Sequence, residues 1–239
     1  PLCYNNEARI EIMPKSVAKD VRQELKFVIP AEDHHRALHW IRHNDAFFYR
    51  EYPDRQVNNI YFDSRNYDAY WDNLSGISSR KKTRYRWYGL SPIPTAGAIE
   101  LKYKRNYFNW KWVYKINEIS FRENASWHSI RRELMSRLPA ELCHHLHENP
   151  VPVLINRYQR GYFRSRESDI RITLDTGLIF YKQGRVLPNF TRKVSVLNNI
   201  ILEVKFPTHW KSKALELMSG CPFPVNRCSK YCAGVQAIR

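Results

Sequence analysis

The stretch that decides the fold is Arg80–Tyr88, RKKTRYRWY, in which Arg80, Lys82, Arg84 and Arg86 occupy every second position. Successive side chains of a β-strand point to opposite faces, so these four cations share one face. For one strand alone the better reading is a solvated outer face of an antiparallel sheet. The neighbouring sequence changes that balance.

In Val21–Ile29, Arg22, Glu24 and Lys26 oppose Leu25, Phe27 and Ile29. In Ala98–Lys104, Glu100, Lys102 and Lys104 oppose Ile99, Leu101 and Tyr103. In Ile200–Phe206, Glu203 and Lys205 oppose Leu202, Val204 and Phe206. Further short alternating stretches run over Asn58–Phe62, Trp110–Ile116, Tyr158–Phe163 and Asp169–Asp175, each bounded by turn residues, with Gly161 marking an expected bulge. A solvated face mixes Thr, Ser, Gln and both charge signs, whereas these strands carry ionised groups at alternate positions, mostly cationic. If the sheet closes, the charged faces converge on one lumen and the edge strands vanish.

Helices are predicted over Ala31–Asp45, from Ser64 to Leu74, from Asn124 or Ser126 to His147 with a break at Pro139, and over Pro207–Ser219, where Gly220 marks the stop. Leu90–Gly97 (LSPIPTAG) reads as a connection between strands. The expected fold class is α+β: a closed antiparallel β-barrel with helices packed outside. Residues 1–20 show no clear period and read as an N-terminal arm; residues 21–239 form the domain.

The 239 residues carry a formal net charge of +16, which calls for an anionic partner: nucleic acid, acidic membrane or a phosphate compound. There is no GxxxxGK[ST] loop and no GxGxxG, so phosphate would be held by side chains. Arginine suits that task through bidentate contacts, and lysine as a point charge. The five cysteines form no CxxC pair, which argues for reduced thiols. No apolar run approaches the ~20 residues of a membrane span, and the start lacks a signal-peptide stretch. These features predict a soluble, cytoplasmic protein. Cys143, His144, His145 and His147 fit no standard zinc spacing and read as a polar helical face. Cys228 and Cys232 read as packed thiols. Trp110 and Trp112, bracketing Lys111, read as packing beneath helices rather than as a nucleic-acid platform.

From Arg22 to Gly234, seven motifs in order resemble the polyphosphate polymerase domain of the vacuolar transporter chaperone (VTC) type, a branch of the triphosphate tunnel, or CYTH-like, superfamily. RQELKFVI resembles its first strand, with Glu24 and Lys26 as the ExK element; NNIYFDS with a short helix follows. RYRWYG supplies Arg84 and Arg86, IELKYK supplies Lys102, YQRGYF supplies Arg160, and DIRITLDTGL supplies Arg171 and Asp175. ILEVKF places Glu203 at the metal position, with Lys205 beside it, and RCSKYCAG supplies Arg227 and Lys230. Lys115 stands where a further lumen lysine is expected. Arg22 replaces the first Glu of the ExExK found in many members, which suits the polymerase branch better than the hydrolase branch.

The resemblance implies ATP as donor, inorganic polyphosphate as acceptor, and Mn²⁺ or Mg²⁺ on Glu203 with Glu24. Arg84, Arg86, Lys102 and Arg160 would then neutralise the transferred phosphoryl group, while Lys26, Arg227 and Lys230 hold the remaining phosphates. It implies no specific nucleic-acid partner and allows a membrane protein partner. A tunnel hydrolase of triphosphate or nucleoside triphosphates is the alternative, followed by a non-catalytic module binding polyphosphate, inositol phosphates or RNA.

Overall fold

The apolar halves of the alternating strands are buried under helices, and that burial decides which face of the sheet turns inward. The structure is a computed structural model describing residues 22–239 apart from 93, 107, 120, 122, 123 and 195–197. The expected arm, residues 1–20, lies outside the described residues. The strands are β1 (Arg22–Pro30), β2 (Tyr49–Asp63), β3 (Ser79–Tyr88), β4 (Gly97–Arg105), β5 (Phe108–Ile116), β6 (Val151–Arg164), β7 (Arg171–Lys182), β8 (Lys193–Val194) and β9 (Asn199–Pro207). All pair antiparallel in the order β1-β9-β7-β6-β2-β3-β4-β5, with β8 added on β7.

Two helical layers cover the outer face. α1 (His34–Arg42) and α5 (Lys211–Ser219) contribute Ala37, Ile41, Ala214 and Leu217 to a core with Phe27, Ile29, Leu202 and Val204. α3 (Trp127–Ser136) and α4 (Ala140–Glu148) pack Ile130, Leu134 and Leu146 on Tyr85, Trp87, Ile99 and Leu101. Each such large side chain contributes about 1.5–3 kcal/mol by leaving water. Ser126 caps α3, its hydroxyl accepting from the Ser129 amide at 3.2 Å. No helix among the described residues is long and apolar enough to cross a membrane.

Closure into a barrel by hydrogen bonds does not occur: among the described residues no ladder joins β1 to β5. The sheet nevertheless curls until its ends approach, since Lys102 Nζ on β4 lies 3.1 Å from Glu24 Oε1 on β1. The free edge of β1 is taken by another segment. Its Val28 amide donates to Asn226 Oδ1 at 3.1 Å, and the Asn226 amide donates to the Lys26 carbonyl at 2.7 Å. Those backbone groups are therefore satisfied without β5.

The expectation that all helices pack outside also needs correction. α6 (Lys230–Ile238), with α2 (Asp68–Leu74) beside it, sits on the inner face at one end. Its Tyr231, Cys232 and Val235 pack on Tyr61, Leu154 and Phe180. Gly234 makes the approach possible: a Cβ there would overlap Leu154 and Phe180. Tyr231 also donates its hydroxyl to Asp63, whose carboxylate accepts the amides of Ala69 and Tyr70 at the start of α2. Gly161 does lie at an irregularity, but the extra residue belongs to β2. Tyr52 pairs with Tyr162 and Arg55 with Arg160, so Pro53 and Asp54 stand opposite Gly161 alone.

Candidate functional site

Register places one connected set of side chains on the inner face. Glu24 and Lys26 come from β1, Glu203 and Lys205 from β9, Arg171 and Asp175 from β7, and Tyr158 and Arg160 from β6. Asn59 and Tyr61 come from β2, Lys82, Arg84 and Arg86 from β3, and Glu100 and Lys102 from β4.

Glu100 anchors the first cluster. It accepts from Arg84 Nε at 2.8 Å and from Arg84 Nη2, while Arg86 Nη1 and Lys111 Nζ lie 3.6 and 3.5 Å away. Burial alone would raise this carboxyl, but Arg84, Arg86 and Lys111 outweigh it and hold it far below the ordinary range. Arg86 also donates Nε to Asn59 Oδ1 at 2.8 Å and Nη2 to the Tyr158 hydroxyl at 3.2 Å. Asn59 in turn donates to Asn156 Oδ1 at 2.7 Å. The guanidinium planes are thereby fixed before any anion arrives.

Asp175 anchors the second. Arg160 binds it bidentately, Nε at 2.6 Å and Nη2 at 2.7 Å, and Lys230 Nζ closes from α6 at 2.5 Å. Burial opposes its ionisation, yet Arg160 and Lys230 keep the carboxyl below its usual value. Lys230 reaches this position only because α6 lies inside the cup.

The third cluster joins the two ends of the sheet. Lys26 Nζ lies 3.0 Å from Glu24 Oε1 and 3.9 Å from Glu203 Oε1, and donates to the Cys228 carbonyl at 3.1 Å. Lys205 Nζ is 3.4 Å and Arg160 Nη2 3.9 Å from Glu203 Oε2. Burial works against the Glu203 charge, but Lys205 and Lys26 hold this carboxyl well below the ordinary range. Burial pushes Lys205 down to about 8. Lys82, nearby on β3, is likewise pushed down to about 8 by burial, and donates to Asn73 Oδ1 at 2.7 Å and Ser229 Oγ at 2.9 Å.

Three expected residues stand apart. Arg171 shares the inner face directly opposite Lys205, but its ion-pair partner is Asp169 at 3.9 Å rather than Glu203, and its Nε makes no hydrogen bond. Arg227 is exposed at the opposite rim, where burial, then Arg80 and Arg227, lower the Lys104 ammonium. Lys115 is exposed and pairs with Ala98 towards the end of β5. On the same face four residues earlier, Lys111 is the β5 lysine that reaches Glu100. The signal for Lys111 was its place between two tryptophans: Trp110 stacks on Tyr103 on the outer face, which turns Lys111 inward.

Glu203 and Glu24, which both face Lys26 Nζ, suit a hard divalent cation. They offer carboxylate oxygens only, and Mg²⁺-like ions take one or two carboxylates and complete their shell from phosphate and water. Among the described residues there is no group of three or more potential ligands, so the remaining ligands would come from outside the protein. His144 and His145 sit on α4 with Glu148, and His145 meets Tyr103 at 2.9 Å, on the outer side. Cys143, Cys221, Cys228 and Cys232 are free thiols.

A family model described as VTC domain matches residues 21–239. The chain belongs to the VTC family. No curated protein sequence matches this VTC domain. Among solved structures, it is similar to an adenylyl cyclase candidate from Hippeastrum with a dominant triphosphatase activity, at 13% identity and TM-score 0.51, covering 91% of this chain and 96% of that one. It is also similar to a proposed adenylate cyclase from Bacillus halodurans, at 11% identity and TM-score 0.51, covering 88% and 94%. At such identities the likeness concerns the fold: this VTC domain shares the architecture of the triphosphate tunnel superfamily.

Proposed function

We propose that this VTC domain is a polyphosphate polymerase, which transfers the γ-phosphoryl group of ATP to the end of an inorganic polyphosphate chain. A terminal phosphate oxygen of the acceptor attacks the γ-phosphorus. The bond from that phosphorus to the β,γ-bridging oxygen breaks, and ADP leaves with the electron pair. Arg84, Arg86, Lys102 and Arg160 neutralise the transferred group, and Lys26, Lys82 and Lys230 hold neighbouring phosphates. Glu203, with Glu24, would hold Mn²⁺ or Mg²⁺, which when bound spreads charge from the phosphate oxygens.

The observation that carries this reading is that, among the described inner-face residues, no carboxylate is free of a cation partner and no histidine is present. Glu100, Asp175, Glu203 and Glu24 are each engaged by cations. All nine histidines lie in, or directly after, helical segments on the outer side. Water needs deprotonation, whereas an ionised phosphate does not. The placing of Glu24 and Glu203 on either side of Lys26 favours a second reading, a tunnel hydrolase in which one carboxylate binds metal and the other activates water. Incubation with ATP and Mn²⁺ separates the two. Long polyphosphate and ADP on a stained gel are expected, and stoichiometric free phosphate with no polymer at any time would transfer the assignment to the hydrolase.

A further inference from the structure

At the mouth formed by the ends of β2, β3 and β6, Tyr52, Arg55, Tyr88 and Tyr162 make an aromatic shelf. Strict alternation would send Tyr52 and Arg55 to opposite faces. The extra β2 residue opposite Gly161 turns both inward, Tyr52 against Tyr162 and Arg55 against Arg160. The Tyr52 and Tyr162 rings meet edge to face at 5.8 Å and 90°. The Arg55 guanidinium lies 5.0 Å from the Tyr52 centroid and 5.9 Å from that of Tyr162. Tyr88 continues the inward row of Arg84 and Arg86, and burial pushes the Tyr162 hydroxyl up to about 12. Tyr52 and Tyr88 are nonetheless 45% and 51% exposed. Aromatic rings serving only to pack would be covered, and these open onto solvent beside the buried Arg160 and Arg86.

We propose that this shelf stacks the base of a nucleoside triphosphate whose phosphates run inward onto Arg160 and Arg86, an inference that rests on the phosphate-binding reading above. Tyr162 lies two residues from Arg160, roughly 7 Å along the strand, a separation that a ribose bridges. Stacking tolerates any base because every base has a π-face, and Arg55 adds a planar cation. The shelf therefore separates nucleotides from inorganic triphosphate and does not separate ATP from GTP.

The test is calorimetric titration in chelator, so that no turnover occurs, of ATP, GTP and tripolyphosphate into the wild type and into Tyr52→Leu, Tyr162→Leu and Arg55→Lys. Arg55→Lys keeps the charge and removes the planar stack. Tyr52 and Arg55 are exposed, so their replacement leaves the fold in place even if Tyr162→Leu does not fold. ATP and GTP should each bind about tenfold more weakly, with tripolyphosphate unchanged within about twofold. Unchanged ATP affinity in the variants, or an equal loss for tripolyphosphate, would overturn the shelf. Preference of the wild type for a short oligouridine over ATP, abolished by the same substitutions, would overturn the mononucleotide assignment. A wild type that does not bind tripolyphosphate would remove the phosphate-binding reading itself.

Discussion

Asp175 and Glu203 are both buried carboxylates on the inner face of adjacent strands, and they are held in different ways. Asp175 meets its cations at 2.5–2.7 Å, with both oxygens committed to Arg160 and Lys230. Glu203 meets Lys205, Lys26 and Arg160 only at 3.4–3.9 Å. At the shorter range the carboxylate is part of the scaffold that aims Arg160 and fastens α6. At the longer range it is balanced by charge without being consumed by hydrogen bonds, which leaves its oxygens for a cation. Burial and charge sign are alike in the two; geometry divides their roles.

The sharpest way to break this comparison is Asp175→Asn. Removing one partner of a buried pair leaves uncompensated charge, and the expected loss is about 3–5 kcal/mol in denaturant unfolding. The same pair sets an acid limit. The folded carboxyl is depressed, so its contribution is present above the unfolded value near 4 and disappears as pH falls through the folded value. A variant as stable as the wild type would show that Asp175 is no anchor.

Gly234→Ala tests the other half of the scaffold. The new methyl group must displace Leu154 or Phe180, and overpacking of this kind costs about 1–3 kcal/mol. Because Lys230 rides on the same helix, tripolyphosphate affinity should fall together with stability. A stable variant with wild-type affinity would show that the seating of α6 is irrelevant to the site.

Glu203→Gln should behave oppositely to Asp175→Asn. The exchange is isosteric, and Lys26 and Arg160 keep closer partners, so the stability change should stay near about 1 kcal/mol. Tripolyphosphate binding should persist or tighten, while metal-dependent turnover is lost. A wild-type rate across a Mn²⁺ titration would reduce Glu203 to a local counter-charge.

Much of this contrast was legible in the alternation. Period two put Glu24, Lys26, Arg84, Arg86, Lys102, Glu203 and Lys205 on inward rows, because each opposes a run of apolar residues that must be buried. Tertiary choices left no such mark. α6 is a short segment after a proline-bearing stretch, and only the fit of Gly234 against Phe180 shows that it lies inside. The bulges of β2 break parity, so the inward turn of both Tyr52 and Arg55 could not be read from spacing. The choice of Lys111 over Lys115 depends on how far β5 slides along β4, and register across strands is not written in either strand alone. The same is true of closure, which β1 forgoes because Asn226 takes its edge.

The smallest expected effect concerns pH. Lys82 is pushed down to about 8, chiefly by burial and further by Lys102 and Lys26. In the free protein its ammonium is therefore carried at a cost below pH 8. That cost is relieved as pH rises from about 8 towards the unfolded value near 10.4, so this group makes the fold no less stable in alkali. Binding has the opposite sign. A polyanion favours the charged form and raises this pKa again, so above pH 8 binding must take up a proton. Tripolyphosphate affinity should accordingly weaken by about tenfold between pH 7.5 and 9.5, with Lys205 acting in the same direction. Lys82→Gln should bind more weakly at pH 7.5 and show a flatter profile. An equally steep profile in that variant would assign the dependence to Lys205, and a flat profile in the wild type would mean that neither amine titrates against the ligand.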